Sequence, residues 1–281
     1  MNITVVTTFN QEGLTLYGQR FLDSFTTRVD NKIKLICYAE NCNPNLENKE
    51  QITILNAAES LPKLKAFKKR YKNVLYANGI PPDHIKAKRP KDWHKEFKWD
   101  AVRFANKVYA IFETANHCSD WCIWMDADTF VHNDWAYNDF AALLPKDKWI
   151  TYVGRGKTAQ TWPECGFYGL NLNDSTCRKF LQEFEAMYEN AEQGIFKLEE
   201  WHDSYVFGHV LDKFKKQNPN YFDYTENLSL ATAKTGGGGH PIINCILGTW
   251  IDHLKGARKA TKKSARRDLS VLRNEPYWQN I

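Results

Sequence analysis

The feature that most constrains this chain is an apolar run that ends in two closely spaced carboxylates, within residues 121–131. Its first five residues are apolar, which predicts a buried strand. Asp126 and Asp128 follow at spacing i, i+2. In open α/β sheets ligands bind at the carboxyl ends of the strands, and two carboxylates there suit a divalent cation that holds a diphosphate. The alternative is that the pair only ends the strand and begins a turn.

The chain is long enough to bury a full hydrophobic core. It has 281 residues, of which 43% are hydrophobic and 14% are aromatic, which fits one large α/β domain or two closely packed subdomains and excludes a disordered or fibrous protein. The N-terminus has no signal-type pattern, and no apolar run approaches the length of a membrane span. We therefore expect a soluble, cytoplasmic protein without a transmembrane segment, with its seven scattered cysteines reduced.

The positive charge is unevenly distributed. The formal net charge is +5, and residues 63–72 and 255–267 are basic runs without an acidic residue. Such runs are usually solvated helix faces. We recognise no nucleic-acid-binding module in them and expect no nucleic-acid partner. The tail after Lys259 either contacts an anionic acceptor or membrane surface, or is disordered.

The N-terminal third reads as an alternating α/β unit. The patterns predict strands at 3–9, 32–40 and 51–55 and a helix at 13–25. No Gly-x-Gly-x-x-Gly turn follows the first strand, which counts against a dinucleotide cofactor. The strand ends either hold a nucleotide base by stacking and backbone hydrogen bonds or simply terminate the strands. These candidate residues are Thr7, Thr8, Phe9 and Tyr38.

Periodicity also places the later elements. The predicted elements are an irregular stretch at 78–92, helices at 99–114, 135–144 and 175–193, a strand at 149–153, a strand-like run at 162–172, and a hinge, lid or loop tip at Gly236–Gly239. Asp174 is available as an N-cap for the 175–193 helix. Arg103 and Lys107 share one face of the 99–114 helix, which either faces the crevice or is only solvated.

Two further patterns carry candidate chemistry. Asp203 precedes an apolar helix. It either caps this helix or acts as a catalytic or acceptor-binding carboxylate. A His-x-x-Gly-x-x-Lys pattern lies near the C-terminus. His253 supplies a nitrogen ligand, Gly256 lets backbone N–H groups approach phosphate oxygens, and Lys259 offers a positive charge to a diphosphate.

Taken in order, these motifs resemble the GT-A glycosyltransferases, and most closely the retaining glycosyltransferase family 8 of glycogenin and galactosyltransferases. The resemblance covers about residues 1–260 and leaves 261–281 as a basic C-terminal tail. The segment 241–259 also resembles glycosyltransferases encoded by tailed phages. The resemblance implies an α/β, Rossmann-like GT-A fold with a mixed central sheet flanked by helices.

The implied activity is transfer of a hexose, glucose or galactose, from a UDP-sugar to an acceptor hydroxyl of a glycan, protein or small molecule, with retention. The implied metal is Mn²⁺, with Mg²⁺ as the alternative; its ligands are Asp126, Asp128 and His253. The implied nucleotide-binding residues are Arg103, Asp126, Gly256 and Lys259, and Lys107 is a further candidate because it shares the helix face of Arg103. The implied sugar-binding residues are Arg103, Glu164, Cys165, Gly166 and Asp203, of which Glu164 and Asp203 are also catalytic candidates.

This sequence departs from the family at two positions. Glu164 stands where the family has Asn, and Ser204 stands where it usually has Gln. The residues alone also leave other functions open. A sugar nucleotidyltransferase shares a similar α/β platform, but residues 7–13 lack its Gly-rich, basic segment. A non-catalytic carbohydrate-binding protein is suggested by ten Trp and thirteen Tyr residues.

Overall fold

A computed structural model describes residues 1–46, 50–88, 91, 95–157, 162–230 and 240–279. The predicted loop at Gly236–Gly239 lies outside these residues. The irregular stretch at 78–92 contains one short helix in its described part. Among the described residues, no helix combines the length and the apolar character that crossing a membrane requires.

The strands form a central mixed sheet and a separate two-stranded sheet. In chain order the strands are β1 (Ile3–Asn10), β2 (Lys34–Glu40), β3 (Ile52–Asn56), β4 (Trp121–Met125), β5 (Thr129–Val131), β6 (Ile150–Val153), β7 (Glu164–Asn171), β8 (Tyr221–Asp223) and β9 (Ile251–His253). The central order is β3-β2-β1-β4-β7-β6-β8. Strands β3, β2, β1 and β4 run parallel, and β7 is antiparallel to β4 and β6.

Helices cover both faces of this sheet. In chain order they are α1 (Gln11–Gly13), α2 (Gln19–Arg28), α3 (Ala57–Ser60), α4 (Pro62–Tyr71), α5 (Asp83–Lys88), α6 (Ala101–His117), α7 (Tyr137–Ala142), α8 (Ser175–Glu189), α9 (Asp203–Gln217), α10 (Pro241–Asn244), α11 (Arg258–Thr261) and α12 (Pro276–Gln279). A π-helical turn at Leu14–Gly18 joins α1 to α2, and short 3₁₀ helices lie at Leu75–Ala77, Glu96–Trp99, Ile195–Lys197, Ile246–Thr249 and Arg266–Asp268.

The predicted α/β class with a mixed sheet flanked by helices is confirmed. The strand predicted to end at the two carboxylates is confirmed as β4, and the residues that follow them form a separate strand, β5. A turn separates them, in which the Asp126 carbonyl accepts a hydrogen bond of 3.2 Å from the Thr129 amide. Since β5 pairs with β9 and not with the central sheet, the chain must change direction at the two carboxylates.

Alternation along the strands divides the core between the two faces. Val6 and Trp124 pack with α4, α6, α8 and α9, whereas Val5 and Ile123 pack on the opposite face with α2 and α7. Successive side chains of a strand point to opposite faces, which explains the division. Strand β1 pairs with β2 on one side and with β4 on the other, so the strand order reverses its direction at β1. The carboxyl ends of β1 and β4 therefore open into one crevice.

Candidate metal centre

The metal-ligand candidates are brought together by the pairing of β5 with β9. Thr129 lies opposite His253 in this antiparallel pair. The Leu254 amide also donates a 2.7 Å hydrogen bond to the Asp128 carbonyl. These contacts place the end of β9 beside the turn that leaves β4. Asp128 and His253 are 125 positions apart in the chain (253 minus 128). Their side chains and that of Asp126 nevertheless meet at one point of the crevice.

The geometry of these three side chains is compact. His253 Nε2 lies 3.1 Å from Asp128 Oδ1 and 3.4 Å from Asp126 Oδ2. One potential ligand atom of each residue lies within 4.8 Å of the others. The His253 and Asp128 side chains are buried, whereas the Asp126 side chain is 27% exposed. The centre is therefore reached from solvent past Asp126.

The donor set fits a divalent cation. Among the described residues, neither ring nitrogen of the buried His253 has a hydrogen-bond partner of good geometry. Buried polar atoms normally have hydrogen-bond partners, and Nε2 faces the two carboxylates, so a cation between the three groups would satisfy all of them. Two carboxylate oxygens and one imidazole nitrogen suit Mn²⁺, with Mg²⁺ as the harder alternative.

The electrostatics agree with this arrangement. Burial raises the pKa of Asp126, but Lys107 and His253 lower it further, and the net direction is downward. The pKa of Asp128 is also lowered, because His253 and Lys259 outweigh burial. Burial lowers the pKa of His253, yet the two carboxylates raise it to about 9. The two acids are thus ionised at neutral pH, as metal ligands must be, whereas His253 carries a proton that a bound cation would have to displace.

Gly166 makes room for the imidazole. A Cβ atom at this position would lie 2.7 Å from His253 Cε1 and 2.6 Å from Ile242 Cδ1. The Gly166 carbonyl also accepts a 2.9 Å hydrogen bond from the Asp126 amide. The glycine predicted to contact sugar therefore lies directly against two of the metal-ligand candidates.

Lys107 links the metal candidates to the predicted catalytic carboxylate. Its buried Nζ lies 3.0 Å from Asp126 Oδ1 and 2.7 Å from Asp203 Oδ2, and it also donates to the Cys165 carbonyl. Asp203 is the first residue of α9 and is itself buried. Trp124 Nε1 donates a further 2.6 Å hydrogen bond to Asp126. The predicted basic face of α6 thus reaches the crevice through Lys107.

Glu164 is enclosed by two cations. Its buried carboxylate lies 3.1 Å from Arg155 Nη2 and 3.1 Å from Lys255 Nζ. Burial raises the pKa of Glu164, but Lys255, Arg155 and His253 outweigh it and the net direction is downward. The Cys165 side chain is also buried, and burial raises its pKa. The Lys255 pair ties the start of β7 to the loop that follows His253, and the Arg155 pair ties it to the segment that follows β6.

The rest of the His-x-x-Gly-x-x-Lys pattern lies at the mouth of the centre. Lys259 Nζ is 3.0 Å from Asp128 Oδ2 and 4.6 Å from the ring centre of Tyr17. Gly256 has φ +65°, and a Cβ atom there would meet no other atom within 4 Å. Its surroundings are therefore open, as a backbone contact to phosphate requires.

The residues predicted to hold a nucleotide base at the ends of β1 and β2 are less exposed than stacking on a base requires. Phe9 and Tyr38 are 4% and 2% exposed, and the Tyr38 hydroxyl meets Thr114 in the core. Thr7 is buried in β1, and Thr8 Oγ1 donates to the Tyr38 carbonyl. A nucleotide base would therefore have to bind to backbone groups at these strand ends.

Arg103, the other predicted nucleotide-binding residue, is exposed in the first turn of α6.

Sequence reasoning missed several residues of this site. Tyr17 is half-buried beside Asp126 and Asp128; burial first and then these carboxylates raise its pKa to about 12. It follows the carboxyl end of β1, and that position was the available signal. No local signal marks Arg155, and the basic run that begins at Lys255 does not indicate a role for it, because both residues are defined by their ion pairs with Glu164.

The fold and the site define an α/β protein with a candidate divalent-cation centre at the carboxyl edge of its sheet. The sequence matches no protein-family model and no curated protein sequence. Its solved structural neighbours include a glycosyltransferase involved in glycosylation of the major capsid of PBCV-1, with TM-score 0.43, 9% identity, and coverage of 95% of this chain and 98% of that chain.

Two further neighbours have similar scores. Mouse xyloside xylosyltransferase 1 in its apo form has TM-score 0.42 and 10% identity, over 88% of this chain and 94% of that chain. The glycosyltransferase GlyE of Streptococcus pneumoniae TIGR4 has TM-score 0.41 and 8% identity, over 79% of this chain and 45% of that chain. At these scores the likeness carries no functional argument, which must come from the site itself.

Proposed function

We propose that this chain is a metal-dependent GT-A glycosyltransferase of the family 8 type, which transfers a hexose from a UDP-sugar to an acceptor hydroxyl. The single observation that carries the proposal is the convergence of Asp126, Asp128 and the buried His253 imidazole at the carboxyl edge of the sheet. Breaking a sugar–phosphate bond leaves negative charge on the departing diphosphate. A centre that concentrates positive charge there lowers the barrier.

In this proposal Asp126, Asp128 and His253 hold the ion, with Mn²⁺ preferred over Mg²⁺. When bound, the cation supplies Lewis-acid stabilisation of the leaving diphosphate. Lys259, whose side chain is 23% exposed beside Asp128, provides a second positive charge. The open backbone at Gly256 lets the same loop approach phosphate oxygens. The role proposed for this loop is to bind the diphosphate and exclude water from it.

Asp203 and Lys107 are proposed to handle the sugar. The 2.7 Å ion pair between them fixes the Asp203 carboxylate close to Asp126. A carboxylate held in this way is suited to orient a sugar or acceptor hydroxyl. This role fits the retaining outcome implied by the resemblance, whereas a general base on the acceptor would fit inversion. The donor sugars proposed are glucose and galactose.

Glu164 is proposed to act on the donor sugar only through its neighbours. Its carboxylate is buried and its ion pairs are with Arg155 and Lys255. Because these contacts occupy both carboxylate oxygens, Glu164 is suited to hold the Lys255 loop in place. The family position occupied by Asn would then serve in this chain to anchor the diphosphate loop.

The test is release of UDP from a panel of UDP-sugars, measured with Mn²⁺ and then with excess chelator. We expect release with UDP-glucose or UDP-galactose that stops with chelator and returns when Mn²⁺ is restored. An NMR measurement of the anomeric configuration of the product tests retention. A rate that chelator leaves unchanged would remove the proposed mechanism.

A further inference from the structure

We propose that Asp252 and Tyr277 are positioning residues for the imidazole of His253. The C-terminal segment 264–278 would then be part of the metal centre although it supplies no ligand. This inference rests on the metal role proposed above for His253.

Asp252 is the residue next to His253 in β9, and it is fully buried. Because successive side chains of a strand point to opposite faces, the Asp252 carboxylate points away from the metal candidates. Its Oδ2 accepts hydrogen bonds of 2.8 Å from the Tyr277 hydroxyl and 2.8 Å from the Ser264 amide. Its Oδ1 accepts a 2.6 Å bond from the Ser264 hydroxyl. All three donors belong to the C-terminal segment.

Tyr277 contacts both strands of the small sheet. Its hydroxyl bonds to Asp252 of β9, while its ring centre lies 5.8 Å from that of Phe130 in β5. Phe130 and Asp252 are direct partners in the register of this pair. The ring also stacks on His132, with centroids 4.2 Å apart and planes inclined by 6°. Tyr277 therefore holds together the two strands whose ends carry Asp128 and His253.

The small sheet needs this support. Strands β5 and β9 are each three residues long and pair with each other outside the central sheet. A two-stranded pair of this length has little stability by itself. The position of the His253 ring relative to the carboxylates therefore depends on what packs against the outer side of the pair.

A second path connects the same segment to His253. His240 Nε2 donates a 2.6 Å hydrogen bond to the His253 carbonyl, and the His240 carbonyl accepts a 2.8 Å bond from Asn244 Nδ2. Asn244 Oδ1 in turn accepts a 2.6 Å bond from the Ser270 amide. The segment thus fixes the His253 backbone from two directions. Mutation of a group bonded directly to a metal ligand typically changes metal affinity by about 10–100-fold, and these contacts act one step further out, through the strand and backbone that carry the ring.

The experiment measures the affinity of folded protein for Mn²⁺, with and without UDP, from the EPR signal of free Mn²⁺. The test variant is Tyr277→Phe, which keeps the stacked ring and removes only the hydroxyl. The matched control is Tyr224→Phe, because the Tyr224 hydroxyl is also buried and bonds to the Leu143 carbonyl and Thr151, away from the centre. Circular dichroism sets a temperature at which every variant is folded.

We expect Tyr277→Phe to weaken Mn²⁺ binding about 10-fold, and Tyr224→Phe to leave it unchanged with a comparable loss of Tm. Equal affinity for Tyr277→Phe and wild type would overturn the positioning role and leave the proposed function intact. Equal weakening by both variants would also overturn it, since the effect would then be general. Wild type that binds no Mn²⁺ would overturn both proposals. If Tyr277→Phe does not fold, Ser264→Ala makes the same test at Asp252 Oδ1.

Discussion

His253 Nε2 lies 3.1 Å from Asp128 Oδ1, although the two residues are 125 positions apart in the chain (253 minus 128). A three-residue antiparallel pairing produces this contact, with Thr129 opposite His253. The candidate chemistry therefore depends on a small sheet outside the main one. Its consequences are specific enough to test.

Removing one carboxylate of the centre should abolish metal binding. We expect Asp128→Asn to lower Mn²⁺-dependent UDP release by about 100-fold or more, because a ligand and its charge are both lost. Mn²⁺ should raise the Tm of wild type, because an ion that binds the native state stabilises it. It should not raise the Tm of the variant, which no longer binds the ion. Differential scanning fluorimetry measures the shift. The control is Asp139→Asn on the exposed face of α7, which should behave like wild type.

Filling the space at Gly166 should displace His253. Gly166→Ala places a Cβ atom 2.7 Å from the imidazole, so the ring or the strand must shift. We expect a loss of about 1–3 kcal/mol in the free energy of unfolding and a loss of Mn²⁺ affinity in calorimetry. Gly169→Ala in the same strand crowds Thr151 at 2.7 Å instead. It should lose stability and keep its metal affinity; a Gly166→Ala protein that binds Mn²⁺ normally would contradict the geometry.

Lys107 should matter for stability as well as activity. Replacing it with Met leaves Asp126 and the buried Asp203 without their shared cation. Removing one partner of a buried ion pair costs about 3–5 kcal/mol, and urea unfolding at pH 7 measures this cost. Lys213→Met is the matched control, because its 2.6 Å pair with Glu183 is solvent-exposed and such pairs contribute less than about 1 kcal/mol. Similar losses for the two variants would contradict the bridging role.

Acid should destabilise the protein partly through His132. Burial is the largest cause that lowers the pKa of His132, to about 4 from 6.5. Below pH 6.5 the unfolded chain binds a proton at this site that the folded chain does not, so stability falls as the pH falls toward 4. Between pH 8 and pH 5 the expected loss is about 2 kcal/mol from this group.

The measurement is the free energy of unfolding in urea at both pH values, for wild type and for His132→Gln. Glutamine keeps a hydrogen-bond donor for the Gly248 carbonyl but does not titrate. The pH-dependent loss should therefore be about 2 kcal/mol smaller in the variant. Parallel pH profiles for the two proteins would exclude the role of His132.

Local patterns were sufficient for much of the fold. The helix predicted at 175–193 is observed at Ser175–Glu189, and Asp174 accepts hydrogen bonds from the amides of Thr176 and Cys177 as its N-cap. The predicted strand at 149–153 is observed at Ile150–Val153. These features are visible in sequence because cap chemistry and side-chain alternation involve residues only a few positions apart.

The sequence by itself determined that an apolar strand ends in Asp126 and Asp128, and that His253 offers an imidazole with a basic loop after it. Only the tertiary structure decided that β5 pairs with β9 outside the central sheet and that Lys107 is buried between two carboxylates. It also decided that Tyr277 contacts both strands of the small sheet. The physical reason is that strand pairing and burial depend on contacts between residues far apart in the chain. Their free energies are set by packing that no local pattern encodes.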